Sequence, residues 1–347
     1  MGVGIAAKTD ALARFLTETA DARAARITAF EHLGGGAVQE NWSFEVEIDG
    51  GPMTGHHALV LRTSAPAAIP LSHDRETEFR LLEAAHQAGV AVPEPLFFCS
   101  NPEVIGRTFS LVRRVAGLAL GSRVIRAATR NGWGQAVARQ LGRELARIHA
   151  ITSRSPRIEN LVGPPPADPA RDTIAAYSDY LDGCRDAHPV LEWGLRWCAR
   201  RVPDPSDVVL CHRDFRTGNY LVDDGRLAAI LDWEFAGWGD PAEDLGWFCT
   251  KSWRFGANRL AAGGLAPREP FVEAYEQASG RRLNADAMSF WEVMANIRWA
   301  VIALQQCERH LSGAEASLEL TLIGRRLPEI EHEILTLTAK AQRGSLG

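Results

Sequence analysis

No run of apolar residues in this chain approaches the roughly 20 that a membrane-crossing helix needs. The opening stretch, Met1 to Asp10, lacks the basic start and apolar core of a secretion signal, and Gly2 is followed by Ala6 where a myristoylation motif carries Ser or Thr. These absences predict a soluble, cytoplasmic protein with no membrane partner. Close cysteine pairs are also missing. Cys99, Cys184, Cys198, Cys211, Cys249 and Cys307 stand too far apart for zinc or redox motifs and read as reduced core residues. Nor is there an excess of positive charge: a net charge of -5 and a pI near 6.1 provide no field for wrapping a polyanion, which argues against nucleic acid as a partner. Internal repeats and low-complexity segments are absent.

What is present is a 347-residue chain, 46% hydrophobic and 23% charged, long enough to favour two lobes over one core. The first part predicts a helix over Asp10–Ala22 with Asp10 as cap, then alternating strands over Arg26–Leu33, Trp42–Asp49 and His56–Thr63. A helix follows from Asp74 to Ala88, with Phe79, Leu82 and His86 on one stripe and Gly89 ending it. Two more strands, Leu96–Cys99 and Thr108–Val115, complete a small antiparallel lobe. After Gly117 the periodicity becomes mainly helical: Gln135–Ile151, Pro169–Asp182 and a long segment over Ala287–His310. Short apolar runs at Val208–Cys211 and Leu227–Leu231 interrupt it. The fold class is α+β, with residues 1–116 as one lobe including its hinge and 117–347 as the other.

Each of the two apolar runs leads into polar and acidic residues. His212-Arg213-Asp214-Phe215-Arg216-Thr217-Gly218-Asn219 comes first, and Asp232-Trp233-Glu234 follows. His-x-Asp-x4-Asn arises by chance in on the order of one such chain in a hundred, so the pattern carries information. A carboxylate to orient a hydroxyl, together with an amide and a second carboxylate as hard oxygen ligands, is what phosphoryl transfer demands.

These residues, with Gly239-Asp240-Pro241-Ala242-Glu243-Asp244-Leu245, resemble the catalytic loop and metal-binding segment of the aminoglycoside phosphotransferase and choline kinase superfamily. Within it they resemble the phosphotransferase branch found beside acyl-CoA dehydrogenases, over nearly the whole chain from Gly34 to about His310. The resemblance implies a bilobal protein-kinase-like fold and transfer of the γ-phosphate of ATP or GTP to a hydroxyl of a small molecule. It implies Asp214 as base, Arg216 as charge stabiliser, and Asn219 and Asp232 as Mg2+ ligands. His212 reads as structural. Asp244 reads either as a brace for the loop's backbone amides or as a solvated acid in a helix first turn. Asp240, Pro241 and Glu243 spell a helix start with a capping box.

In the first lobe, the glycine-bearing segment Leu33 to Ser43 lies between two strands, where backbone amides can cover nucleotide phosphates, with Gly35, Gly36, Asn41 and Ser43 as candidate contacts; the strict Gly-x-Gly-x-x-Gly spacing is absent, and a flexible hairpin is the plainer reading. Arg62 stands where kinases carry Lys. Glu78, with Glu76 as the competing register, resembles its helix partner, and Arg113 to Val115 resembles the hinge whose backbone reads the base. Aromatics of the long helix and Arg298 are candidate acceptor contacts, against core packing as the default. From Arg268 to Arg343 there are eleven acids against nine bases, which argues weakly against a polycationic antibiotic acceptor. Competing readings are a nucleotide-binding pseudokinase and an accessory domain of an acyl-CoA-related pathway.

Overall fold

The computed structural model describes residues 8–33, 39–64, 72–152, 158, 161–204, 207–315 and 317–344. The chain divides into two units, Met1–Ala116 with Ala228–Phe235, and Gly117–Leu227 with Ala236–Gly347.

The first unit contains helix α1 (Thr9–Thr19), strands β1 (Ala24–Leu33), β2 (Gln39–Asp49) and β3 (Gly55–Ser64), helix α2 (Arg75–Gln87), and strands β4 (Pro95–Cys99) and β5 (Phe109–Arg113). The five strands form an antiparallel sheet in the order β1-β2-β3-β5-β4. Side chains two apart share a face of a strand. Trp42, Phe44, Val46 and Ile48 of β2 and Leu59 and Leu61 of β3 therefore make one buried surface, which Leu12 and Leu16 of α1 cover. Each such side chain contributes about 1.5–3 kcal/mol on burial. The same alternation turns Arg62 to the opposite face, where Glu78 of α2 meets it. Asp74 caps α2 by accepting from the Thr77 amide at 2.7 Å.

Two details differ from the sequence expectation. Helix α1 is preceded by Lys8, with Asp10 in its first turn rather than at the cap, so that acid supports the helix through the dipole. On α2 the buried stripe is Phe79, Leu82 and Ala85, while His86, in the last turn of the helix, is exposed.

Residues Ala228–Phe235 belong with this unit by direct bonds. The Ile230 amide donates to the Ala91 carbonyl at 2.7 Å and the His73 amide to the Glu234 carbonyl at 2.8 Å.

The second unit is mainly helical: α3 (Gly121–Asn131), α4 (Gly134–Ile148), α5 (Pro169–Asp182), α6 (Pro189–Ala199), then β6 (Val209–Cys211), β7 (Tyr220–Asp223), β8 (Arg226–Ile230), which crosses into the first unit, and β9 (Gly237–Gly239). Helices α7 (Pro241–Cys249), α8 (Arg268–Ser279), α9 (Ala285–Leu311), α10 (Leu318–Gly324) and α11 (Leu327–Gly344) follow. Helices α3, α6, α8, α10 and α11 are additions to the sequence reading. In α3 the apolar positions Val124, Ile125 and Ala128 are interleaved with arginines, which dilutes the periodic signal.

Every residue of α7 is buried. Gly246 makes that possible, since a Cβ there would lie 2.7 Å from the Trp291 backbone carbon of α9. Short strands β6 and β9 pair antiparallel, Cys211 opposite Gly237, and aim the loop after β6.

Candidate active site

Strand β6 ends at Cys211, and the next eight residues turn back into β7. Asp244 holds that turn from α7. Its carboxylate accepts the His212 and Arg213 amides, each at 2.7 Å, and His149 Nε2 lies 3.1 Å away. His149 Nδ1 in turn lies 2.9 Å from the Tyr275 hydroxyl. Burial alone would raise the Asp244 carboxyl; the bond and charge of His149, then the contribution of His212, bring it below its ordinary 3.8. Of the two readings of Asp244, the loop brace is the one seen.

His149, Cys211 and Asp244 lie close enough to share a metal ion, all buried. Their chemistry opposes it: the Asp244 oxygens already accept three donors, and burial holds the Cys211 thiol well above 9.0, so it is not a thiolate ligand.

Arg213 adopts φ +62°, a left-handed conformation that costs a non-glycine residue on the order of 1 kcal/mol. Its amide bond to Asp244, a 2.5 Å bond from Nη2 to the Trp238 carbonyl and Glu243 at 3.5 Å from Nε over-determine it. The strain turns the next residue, Asp214, away from the direction β6 would have given it.

The Asp214 side chain, 8% exposed, meets three donors. Arg216 Nε and Trp247 Nε1 each donate to Oδ1 at 3.0 Å, and Asn219 Nδ2 donates to Oδ2 at 2.5 Å and to the Asp214 carbonyl at 3.0 Å. The Asp214 amide donates to His212 Nδ1 at 3.2 Å, so His212 holds the loop's backbone as expected. Arg216 also stacks over Trp253 at 4.8 Å.

In the first unit the cluster centres on Arg62. Its Nη2 lies 2.7 Å from Glu78 and 3.9 Å from Asp232. Burial would lower the guanidinium pKa, but Glu78, Asp232 and Glu234 more than reverse this and raise it. Arg75, absent from the sequence reading, forms a second buried ion pair with Glu78. Glu76 faces outward toward Arg80, so Glu78 is the partner in register. Asp232 is itself left-handed, φ +69°, which marks it as a residue held in place by its surroundings.

The remaining candidates have these settings. Asn41 sits across from Arg62 in the β2–β3 ladder. Ser43 Oγ accepts from Arg114 Nη1 at 2.8 Å. Arg113 Nε pairs with Glu94 at 2.6 Å, and Val115 lies just past β5, half-buried. Gly35 and Gly36 lie outside the described residues.

On the second unit a small cleft opens between α5, α7 and α9, lined by Tyr177, Glu243, Trp247, Trp291, Met294 and Arg298. Glu243 does not close the expected capping box. Its Oε1 instead lies 3.4 Å from Arg298 and 3.5 Å from Arg213, because α7 is buried and a carboxylate there needs cations more than the helix start needs a second cap. Burial pushes the Glu243 carboxyl up, with the two arginines opposing. Asp240 does cap, accepting from the Ala242 amide at 2.7 Å. Trp247 was missed in the sequence; its one signal was a place one helical turn beyond Glu243 and Asp244.

The chain is similar to several known proteins. A chicken acyl-CoA dehydrogenase family member 11 is 27% identical over 296 residues, 79% of this chain and 37% of that protein, so the chain spans little more than a third of that relative's length. A solved protein from Ralstonia eutropha, provisionally described as an aminoglycoside phosphotransferase, superposes with a TM-score of 0.73 at 22% identity, covering 96% of this chain and 98% of the other. A thermostable mutant of the aminoglycoside phosphotransferase APH(4)-Ia, solved with AMP-PNP and hygromycin B, gives 0.60 at 19% identity, covering 95% and 98%. These two structures share the fold. The model of the phosphotransferase enzyme family matches residues 33–291, from the edge of the glycine-bearing turn through the braced loop to α9, and the chain belongs to that family.

Proposed function

We propose that this protein transfers the γ-phosphate of ATP or GTP to a hydroxyl group of a small molecule in the cytoplasm. The observation that carries the reading is the Asp214 carboxylate, nearly buried and clamped by Arg216, Trp247 and Asn219. Such a carboxylate is pre-oriented to accept the hydroxyl proton while the oxygen attacks phosphorus. One O–P bond forms, the bond to the nucleoside diphosphate breaks, and the proton passes to Asp214. Arg216, in contact with that carboxylate, is assigned the stabilisation of charge developing on the transferred group.

The donor set fits a hard divalent cation. The Asn219 carbonyl oxygen and the Asp232 carboxylate are oxygen ligands of the kind Mg2+ takes, and we assign them that role. When bound, Mg2+ would neutralise phosphate charge and orient the nucleotide. Arg62, anchored by Glu78, is assigned to the α- and β-phosphates. This pairing weakens the pseudokinase reading, which drew on Arg replacing Lys. Among the described residues no helix is long and apolar enough to cross a membrane, in keeping with a small polar acceptor met in water. Trp291 and Arg298 of α9 are proposed as acceptor contacts. The name of the chicken relative supports an acceptor drawn from the surroundings of acyl-CoA chemistry.

The test couples nucleoside diphosphate formation to a panel of sugars, amino alcohols and hydroxy acids with Mg-ATP and Mg-GTP. Acceptor-dependent turnover is expected. Nucleotide binding without turnover on any acceptor would overturn the reading.

A further inference from the structure

We infer that Trp247 is a positioning residue for the base, its indole N–H orienting Asp214 while its ring is fixed between Arg298 and the neighbouring tryptophans. The inference rests on Asp214 being the base. Trp247 is 2% exposed, and its Nε1 donates to Asp214 Oδ1 at 3.0 Å. That bond is not a general habit of buried indoles here. The N–H groups of its neighbours Trp253, Trp291 and Trp299 are buried without a hydrogen-bond partner. Of this cluster, Trp247 is the one joined to a carboxylate.

Its mounting is rigid. Trp247 packs on Trp253 with ring centroids 5.1 Å apart, and Trp253 on Trp299 at 4.8 Å. The Arg298 guanidinium lies 4.8 Å over the Trp247 ring and pairs with Glu243, while Arg216 lies 4.8 Å over Trp253 and donates to the same Asp214 oxygen. The aromatic cluster thus carries a cation on each side, and both routes end at Asp214. One carboxylate oxygen is held by an indole and a guanidinium, the other by the Asn219 amide.

The substitution Trp247→Phe keeps an aromatic ring and removes the N–H. With water as the probe acceptor, ADP release from Mg-ATP is expected to fall about tenfold in kcat, the loss of one hydrogen bond to a charged group, with the KM for Mg-ATP unchanged. A kcat within twofold of wild type overturns the positioning role and leaves the phosphotransferase reading standing. No ADP release by wild type, with water or with the acceptor panel, overturns both. A second readout does not depend on turnover. In indole ¹H–¹⁵N spectra of the intact protein, one tryptophan cross-peak is expected to move between wild type and Asp214→Asn, in keeping with an N–H bonded to that side chain. If every indole signal keeps its position, the inference fails.

Discussion

Asp214 is held by three donors, so its replacement by Asn exchanges an acceptor for a group that is half donor. Two of the three donors would then face an NH2 or compete for one carbonyl oxygen. Asp214→Asn is expected to lose at least about 100-fold in turnover, a typical general-base contribution, while retaining nucleotide affinity. Steady-state rates and a nucleotide titration check both halves, and a variant keeping more than about a tenth of the rate contradicts the role. Arg62 is easier to understand at this scale than the kinase pattern suggested. Lys8, Lys251 and Lys340 are the chain's lysines, so its cations are overwhelmingly arginines. A fork-shaped guanidinium can reach Glu78 and Asp232 together, which a single ammonium would do less well.

Helix α7 works as an element. Its first turn supplies Glu243 to two arginines and Asp244 to the loop, its second turn supplies Trp247 to Asp214, and Gly246 lets it lie against α9. Because Asp244 sits below its ordinary 3.8, it contributes stability that is complete above that value and lost as the pH falls through the lower folded value. Wild type is therefore expected to lose melting temperature on acidification below about pH 4. Asp244→Asn, costing about 3 kcal/mol at neutral pH, should show a shallower acid slope. Melting curves across pH decide it; parallel acid limbs would remove Asp244 as their source. Gly246→Ala, with its Cβ 2.7 Å from the Trp291 backbone, should cost about 1–3 kcal/mol by overpacking, read from denaturant midpoints at unchanged m-value. A neutral effect would mean that α7 can shift away from α9 freely.

Across the whole molecule, the chain leaves its first unit after Ala116, returns for Ala228–Phe235 and leaves again. That short return sets Asp232 beside Arg62, and Asn219 stays in the other unit. Asp232 is the proposed ligand of a nucleotide-bound Mg2+. Mg-ATP at about 100 times its Kd should then stabilise wild type by about 2.7 kcal/mol. Asp232→Ala should forfeit most of this in a thermal shift assay. An undiminished shift would contradict the metal role.

The sequence by itself determined which polar residues cluster along the chain and which element each stands on. His212 to Asn219 follows a strand, Asp240 and Pro241 start a helix, and the alternation in Phe44–Ile48 and Leu59–Leu61 settles a two-faced sheet, since these depend on spacing and local backbone preference alone. It placed Glu78 on the right helix without excluding Glu76, and it left Arg75, Trp247 and the His149–Asp244–Tyr275 chain unremarked. Only the tertiary structure decided those. A helical register becomes definite when one face is buried, and a hydrogen bond between residues 33 or 95 positions apart, as Asp214 to Trp247 or His149 to Asp244, depends on how helices pack rather than on any local pattern. Glu243 makes the same point in reverse: local spacing wrote a capping box, and burial next to Arg213 and Arg298 overruled it.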